Sequence, residues 1–134
     1  MIGDRYRLGD LLGQGGMGRV WAAHDDLLDR EVAVKEVLLP LSLRDHERGE
    51  LLVRTLREAQ TAARVRHPHV VTVFDVVEHD GRPWLVLQLL APRTLAHVLA
   101  EHGPLAPAAA ARVGLDLLDG LVAVHAAGVL HRVV

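Results

Sequence analysis

Gly13-Gln14-Gly15-Gly16-Met17-Gly18-Arg19-Val20 fits the pattern G-x-G-x-x-G-x-V. Glycine lets a backbone lie close to a bound group and adopt conformations that other residues avoid, so such a run suits a loop laid over phosphates. The same residues would also serve as a flexible hairpin turn. Two other phosphate-binding arrangements fit less well. A dinucleotide-binding unit enters a helix directly after its glycines, whereas Arg19–His24 reads as a strand. A Walker-type loop needs Lys and then Ser or Thr after the last glycine, and here Arg19-Val20 follows.

Val32-Ala33-Val34-Lys35 strengthens the case for an anion. Side chains alternate along a strand, so Ala33 and Lys35 share one face while Val32 and Val34 share the other. A small residue beside a lysine suits a flat ring with phosphates beyond it, and the two valines are expected to bury against a helix. Lys35 is the only lysine among the 15 basic residues. Random placement would put it at this site about one time in fifteen. A compact ammonium and a planar guanidinium are not interchangeable where a phosphate must be reached. An exposed strand lysine is the ordinary alternative.

A third group is acidic. Leu51, Thr55, Glu58, Ala62 and Val65 recur at helical spacing and predict one stripe, with Arg54, Arg57 and Arg64 off it. Glu58 then sits amid an inward-looking face, where a charge needs a partner. Lys35 is one candidate. Arg54, one turn back, is the other.

These groups need elements to hold them. The sequence predicts strands over Tyr6–Leu12, Arg19–His24 and Glu31–Val37, then a helix over Leu51–Arg66 ended by His67-Pro68. Two more strands, Val70–Glu78 and Trp84–Leu90, flank an Asp80-Gly81 hairpin. Helices follow over Thr94–Glu101, with Thr94 as cap, and over Pro107–Ala126, closed by Gly128. This order lacks the strand–helix alternation of a doubly wound sheet. It predicts an α+β fold, a five-stranded antiparallel sheet carrying one long helix.

The bulk composition agrees. With 134 residues, half of them hydrophobic and 24% charged, the chain is long enough for one domain with a real core. Aromatics are only 3%, so Leu, Val and Ala must fill that core. The net charge is -2 and the arginines are scattered, which argues against a nucleic-acid partner or an anionic membrane surface. No stretch approaches a membrane-spanning length, and the N-terminus lacks the apolar run of a signal peptide. Absence of cysteine excludes disulfides and thiolate metal sites, and a cytoplasmic location is expected. The nine histidines show no metal-ligand spacing.

Together these features resemble the protein-kinase signature, most nearly the eukaryotic-like serine/threonine kinases of high-GC bacteria. Tyr6-Arg7-Leu8, Arg57-Glu58-Ala59, Arg66-His67-Pro68-His69-Val70-Val71, Pro83-Trp84-Leu85-Val86 and Ala127-Gly128-Val129-Leu130-His131-Arg132 carry the resemblance across nearly the whole chain. It implies a kinase N-lobe over residues 1–90 with the αC helix. Residues 91–134 would be the hinge and first C-lobe helices. Leu12, Val20 and Ala33 would sandwich the adenine of ATP, and Gly13 to Gly18, with Gln14, Gly15, Gly16 and Met17 between, would cover the phosphates. Lys35 would hold the α- and β-phosphates and pair with Glu58. Leu87 falls at the gatekeeper position. Gln88 and Leu90 fall on the hinge, whose backbone bonds the adenine edge, with Gln88 where the family usually has Glu.

The pattern breaks at its far end. The family reads His-Arg-Asp, whereas these residues read His131-Arg132-Val133-Val134. Val133 occupies the catalytic Asp position, and neither the loop Asn nor the Asp-Phe-Gly site for Mg²⁺ is among these 134 residues. The expectation is a truncated, inactive ATP-binding part of a kinase whose full-length relatives act on protein substrates. The alternative is a non-catalytic module that binds nucleotide or a partner. Leu115, Leu118, Leu121 and Val122 should form an exposed apolar patch on the last helix that promotes self-association.

Overall fold

The computed structural model describes residues 1–16, 18–91 and 93–129. The elements run β1 (Tyr6–Gly15), β2 (Gly18–Asp25), β3 (Arg30–Val37), α1 (Asp45–Ala62), β4 (Val73–His79), β5 (Arg82–Leu87), α2 (Leu95–His102) and α3 (Pro107–Ala126). The strands form one sheet in the order β1-β2-β3-β5-β4, every neighbouring pair antiparallel. This is the expected five-stranded sheet with one long helix. Asp80 and Gly81, both at positive φ (51° and 69°), turn β4 into β5. That conformation matches the twist of the flanking strands.

Register sorts the side chains onto two faces. Trp21, Val34 and Val86 stand in one cross-strand row, and Ala23 is opposite Val32. These residues form the core with Ile2, Tyr6 and Trp84, and Val32, Val34 and Val86 are fully buried. The two β3 valines therefore pack against other strands and the N-terminal residues, not against a helix as their spacing suggested. Leu8, Trp21 and Val77 pack around the same cluster.

Two carboxylates lie within this mostly apolar framework. Asp25 is fully buried and accepts from Arg5 Nε at 2.7 Å and Arg5 Nη2 at 2.8 Å, from Arg30 at 3.4 Å, and from the backbone N–H of Leu27 and Leu28. These bonds hold its pKa far below the ordinary carboxylate range, the Arg5 hydrogen bond contributing most. Tyr6 donates its hydroxyl to Asp75 at 2.6 Å and ties β1 to β4. Burial, followed by that bond, pushes the phenol pKa upward. Glu36 is the second carboxylate, buried at the far end of β3.

Several boundaries move from their expected places: β1 runs on to Gly15, β4 starts at Val73, β5 ends at Leu87, and both ends of α1 shift. Helix α1 begins at Asp45 rather than Leu51, because its first turn is polar and invisible to apolar periodicity. Acidic residues suit that turn, and Glu47 accepts the Arg44 backbone N–H at 3.0 Å. It ends at Ala62, well before His67-Pro68. Arg64 and Val65 bond back to Thr61 and Ala62 in a tighter turn that delivers Val65 into the interior, 7% exposed.

Helix α3 touches the loop that precedes β4. A Cβ on Gly120 would lie 3.2 Å from the His69 carbonyl oxygen, so only a glycine allows this approach without displacement. His67 Nε2 lies 3.1 Å from Asp119 Oδ2, and His69 Nε2 3.4 Å from Asp116 Oδ1.

Candidate functional site

The face opposite the core carries the candidate site. Val20, Lys35 and Leu85 form one cross-strand row, and Ala22, Ala33 and Leu87 the next. Lys35 is thus set between Val20 and Leu85, one row from two small residues, by strand alternation alone. The lysine is half-buried and joins no ion pair among the described residues.

Beyond the alanine row lies an open cleft of about 850 Å³. Leu12 and Ala22 line it from the sheet, Leu89, Leu90 and Ala91 from the connecting segment, and Arg93, Thr94 and His97 from the start of α2. Its size is that of a small-molecule site. Thr94 caps α2: its hydroxyl accepts the His97 N–H at 3.2 Å, and the Thr94 N–H donates to His97 Nδ1 at 3.2 Å. Sequence reasoning anticipated the cap but missed Arg93 and His97 as lining residues, since neither carries a signal of its own.

Gln88 leaves β5 with its N–H bonded to the Thr72 carbonyl at 2.9 Å, and its side-chain oxygen faces the Thr72 N–H at 3.4 Å. Among the described residues, the Gln88 carbonyl and the Leu90 N–H find no backbone partner outside helices and strands. A donor and an acceptor are therefore offered at the rim of an apolar cleft.

The glycine run forms the tip of the β1–β2 hairpin. Gln14 pairs with Arg19 and Gly15 with Gly18. Among the described residues, nothing lies within 4 Å of where a Cβ would stand on Gly13, Gly15 or Gly16. Packing among the described residues does not call for glycine at these three positions. Gly18 differs: a Cβ there would come within 2.0 Å of the Glu36 carbonyl oxygen. Met17 and Val133 lie outside the described residues.

Glu58 corrects the expected stripe. Its side chain is 62% exposed and accepts from Arg54 Nε at 3.1 Å; it forms no ion pair with Lys35. The buried face of α1 centres on Ala59, one residue on, and a step of one residue is about 100° around a helix. Glu58 lies at the border of that face, beside Leu51 and Thr55.

An apolar slot with a hydrogen-bonding edge, a glycine-rich hairpin and a lysine nearby can receive a flat heterocycle that carries anionic groups. The fold is shared with a protein of known structure. The crystal structure of Rad53 in complex with AMP-PNP superposes with a TM-score of 0.80 over 97% of this chain and 33% of that one, at 19% identity. A family model described as "Protein kinase domain" matches residues 6–134, and the chain belongs to that family. It is 41% identical over 98% of its length to a probable serine/threonine-protein kinase of Corynebacterium efficiens, and 41% identical over 95% to serine/threonine-protein kinase PknE of Mycobacterium tuberculosis. A probable serine/threonine-protein kinase of Streptomyces coelicolor is 36% identical over 98%. The chain spans about one fifth of the length of these curated relatives, 20% to 22%. Its sheet and α1 are a kinase N-lobe.

Proposed function

We propose that this chain forms the ATP-binding part of a serine/threonine protein kinase, an enzyme that moves the γ-phosphoryl group of ATP to a protein hydroxyl. The observation that supports the reading is the register that sets Lys35 beside Val20, the partner of Gly13, one row from Ala22, which borders the apolar cleft. Leu12, Val20 and Ala33 form the walls for adenine, with Leu87 behind. The Gln88 carbonyl and the Leu90 N–H meet the adenine edge. Gly13 to Gly18, with Gln14 and Met17, cover the phosphates, which Lys35 draws by charge. Glu58 supports Lys35 when α1 turns it inward, a state that requires release from Arg54. Residues 1–90 would act as the nucleotide lobe and residues 91–134 as hinge and helical base, in a cytoplasmic setting.

Phosphoryl transfer also needs Mg²⁺ held by acidic ligands and a base at the substrate hydroxyl. Val133 stands where the family has Asp, and no group of three potential ligands is gathered among the described residues. These 134 residues taken alone are therefore expected to bind ATP weakly and transfer nothing. Val133 equally favours a second reading, a non-catalytic nucleotide- or partner-binding module. Titration with ATP and with adenosine tests the nucleotide site. Lys35→Met should reduce ATP affinity about tenfold or more while leaving adenosine affinity unchanged. Equal loss of both ligands, or no loss, overturns the role of Lys35. A radiolabelled-phosphate assay on the same chain separates binding from transfer, and label transferred to protein would contradict the expected inactivity.

A further inference from the structure

Glu36 is the residue whose burial the nucleotide site leaves unexplained. It follows Lys35 and points to the opposite face of β3. Its side chain is only 3% exposed, and it accepts from two arginines. Arg19 Nε and Nη2 approach one carboxylate oxygen at 2.9 and 2.8 Å, and Arg82 Nη1 approaches the other at 2.5 Å. A carboxylate withdrawn from water this completely costs stability unless its partners are well placed. An apolar residue would fill the same position beside Trp84 without that cost.

The location of these bonds indicates what they do. β3 ends at Val37, which pairs with Gly18. Gly18 adjoins the tip of the β1–β2 hairpin, whose outer strand β1 lies at the sheet edge and pairs with β2 alone. The hairpin's last cross-strand pair with the sheet bearing side-chain bonds is Arg19 with Glu36. The Glu36 carbonyl also lies against the Gly18 backbone, at the spot a Cβ would occupy. One residue thus bears on the root of the glycine hairpin twice, once through its backbone and once through its carboxylate. Arg82 holds that carboxylate from β5, far from the hairpin in sequence.

We propose that Glu36 is a positioning residue for nucleotide phosphates: through Arg19 it sets the height of the Gly13–Gly18 hairpin over the face that carries Lys35. This inference rests on the reading of that hairpin as the phosphate cover. Glu36 itself touches no nucleotide, being on the far face of the sheet. A hairpin freed at its root samples more positions, and a phosphate meets its N–H groups less often. Adenosine, which has no phosphates, is indifferent to the change.

The test uses the whole chain, with ATP and adenosine as separate probes, and adds amide hydrogen exchange at Gln14, Gly15, Gly16 and Arg19. Glu36→Gln and Arg19→Met are expected to weaken ATP binding about tenfold with adenosine unchanged, and to speed exchange at the hairpin. Arg82→Met leaves the Arg19 bond in place, so it should lower thermal stability without shifting the ATP-to-adenosine ratio. Arg19→Lys should recover part of the ratio. If Glu36→Gln does not fold, Arg19→Met, whose side chain is 36% exposed, decides the matter. Unchanged hairpin exchange in folded Arg19→Met overturns the proposal, as does equal behaviour of Arg19→Met and Arg82→Met. If the unaltered chain binds no ATP, the nucleotide reading itself fails. The exchange measurement still reports whether Glu36 anchors the hairpin.

Discussion

The Glu58 carboxylate accepts from Arg54 Nε at 3.1 Å, one turn back along α1, and both side chains are more than half exposed. An exposed pair at this spacing is worth about 0.3–0.5 kcal/mol. Glu58→Gln should therefore change the free energy of unfolding of the ligand-free chain by no more than about 0.5 kcal/mol in urea titration. A loss above about 2 kcal/mol would mean that Glu58 is held inward in solution, as a buried charge pair would hold it.

The glycines divide into two kinds. Gly13→Ala and Gly15→Ala place a methyl group in open space. They should fold with stability within about 1 kcal/mol of the parent and lose ATP affinity. Gly18→Ala drives a methyl into the Glu36 carbonyl and should cost about 2 kcal/mol or more. Thermal unfolding and ATP titration of the three variants check the division. An unstable Gly13→Ala, or a fully stable Gly18→Ala, contradicts it.

Asp25 predicts an acid limit. Its folded pKa is depressed, chiefly by the Arg5 hydrogen bond, so its contribution is complete above its ordinary unfolded value, near pH 4, and is lost as pH falls below that. Asp25→Asn leaves Arg5 and Arg30 without their shared carboxylate and should cost about 3 kcal/mol at neutral pH. The variant's stability should also fall less between pH 5 and pH 2 than the parent's. Parallel pH profiles for the two proteins would count against this.

His24 predicts the opposite sign. Its Nδ1 lies 2.7 Å from Glu31 Oε1 and its Nε2 3.2 Å from Asp29 Oδ1. Its pKa is raised, first by the Glu31 hydrogen bond. The stabilisation is complete below the unfolded value of about 6.5 and is lost as pH rises through the higher folded value. Melting temperature should fall between pH 6 and pH 8, and His24→Gln should flatten that slope. An unchanged slope in the variant assigns the dependence elsewhere.

What the sequence disclosed depended on how local each signal was. The strand period around Val32 to Lys35 and the turn chemistry of Asp80-Gly81 act within a few residues, and both placed their elements correctly. Glu58 went astray because a helix with few apolar residues defines its inner face only to within one position. Glu36 was legible in part: it shares a face with Val32 and Val34 by simple alternation, an acid on an apolar side. Its partner Arg82 is 46 residues away, and no local pattern announces a pairing of that range. The early start of α1 at Asp45 was hidden for a different reason, since a polar first turn has no hydrophobic period to detect.

The contact of Gly120 with His69 has a mechanical meaning. Helices α2 and α3 follow the sheet through residues 88–94, and α3 is pinned again at the loop before β4, where His67 and His69 meet Asp119 and Asp116. Helix α3 is thus tied to the approach to β4 by backbone proximity and by side chains, and a larger residue at position 120 would press first on the His69–Val70 segment and not on the cleft.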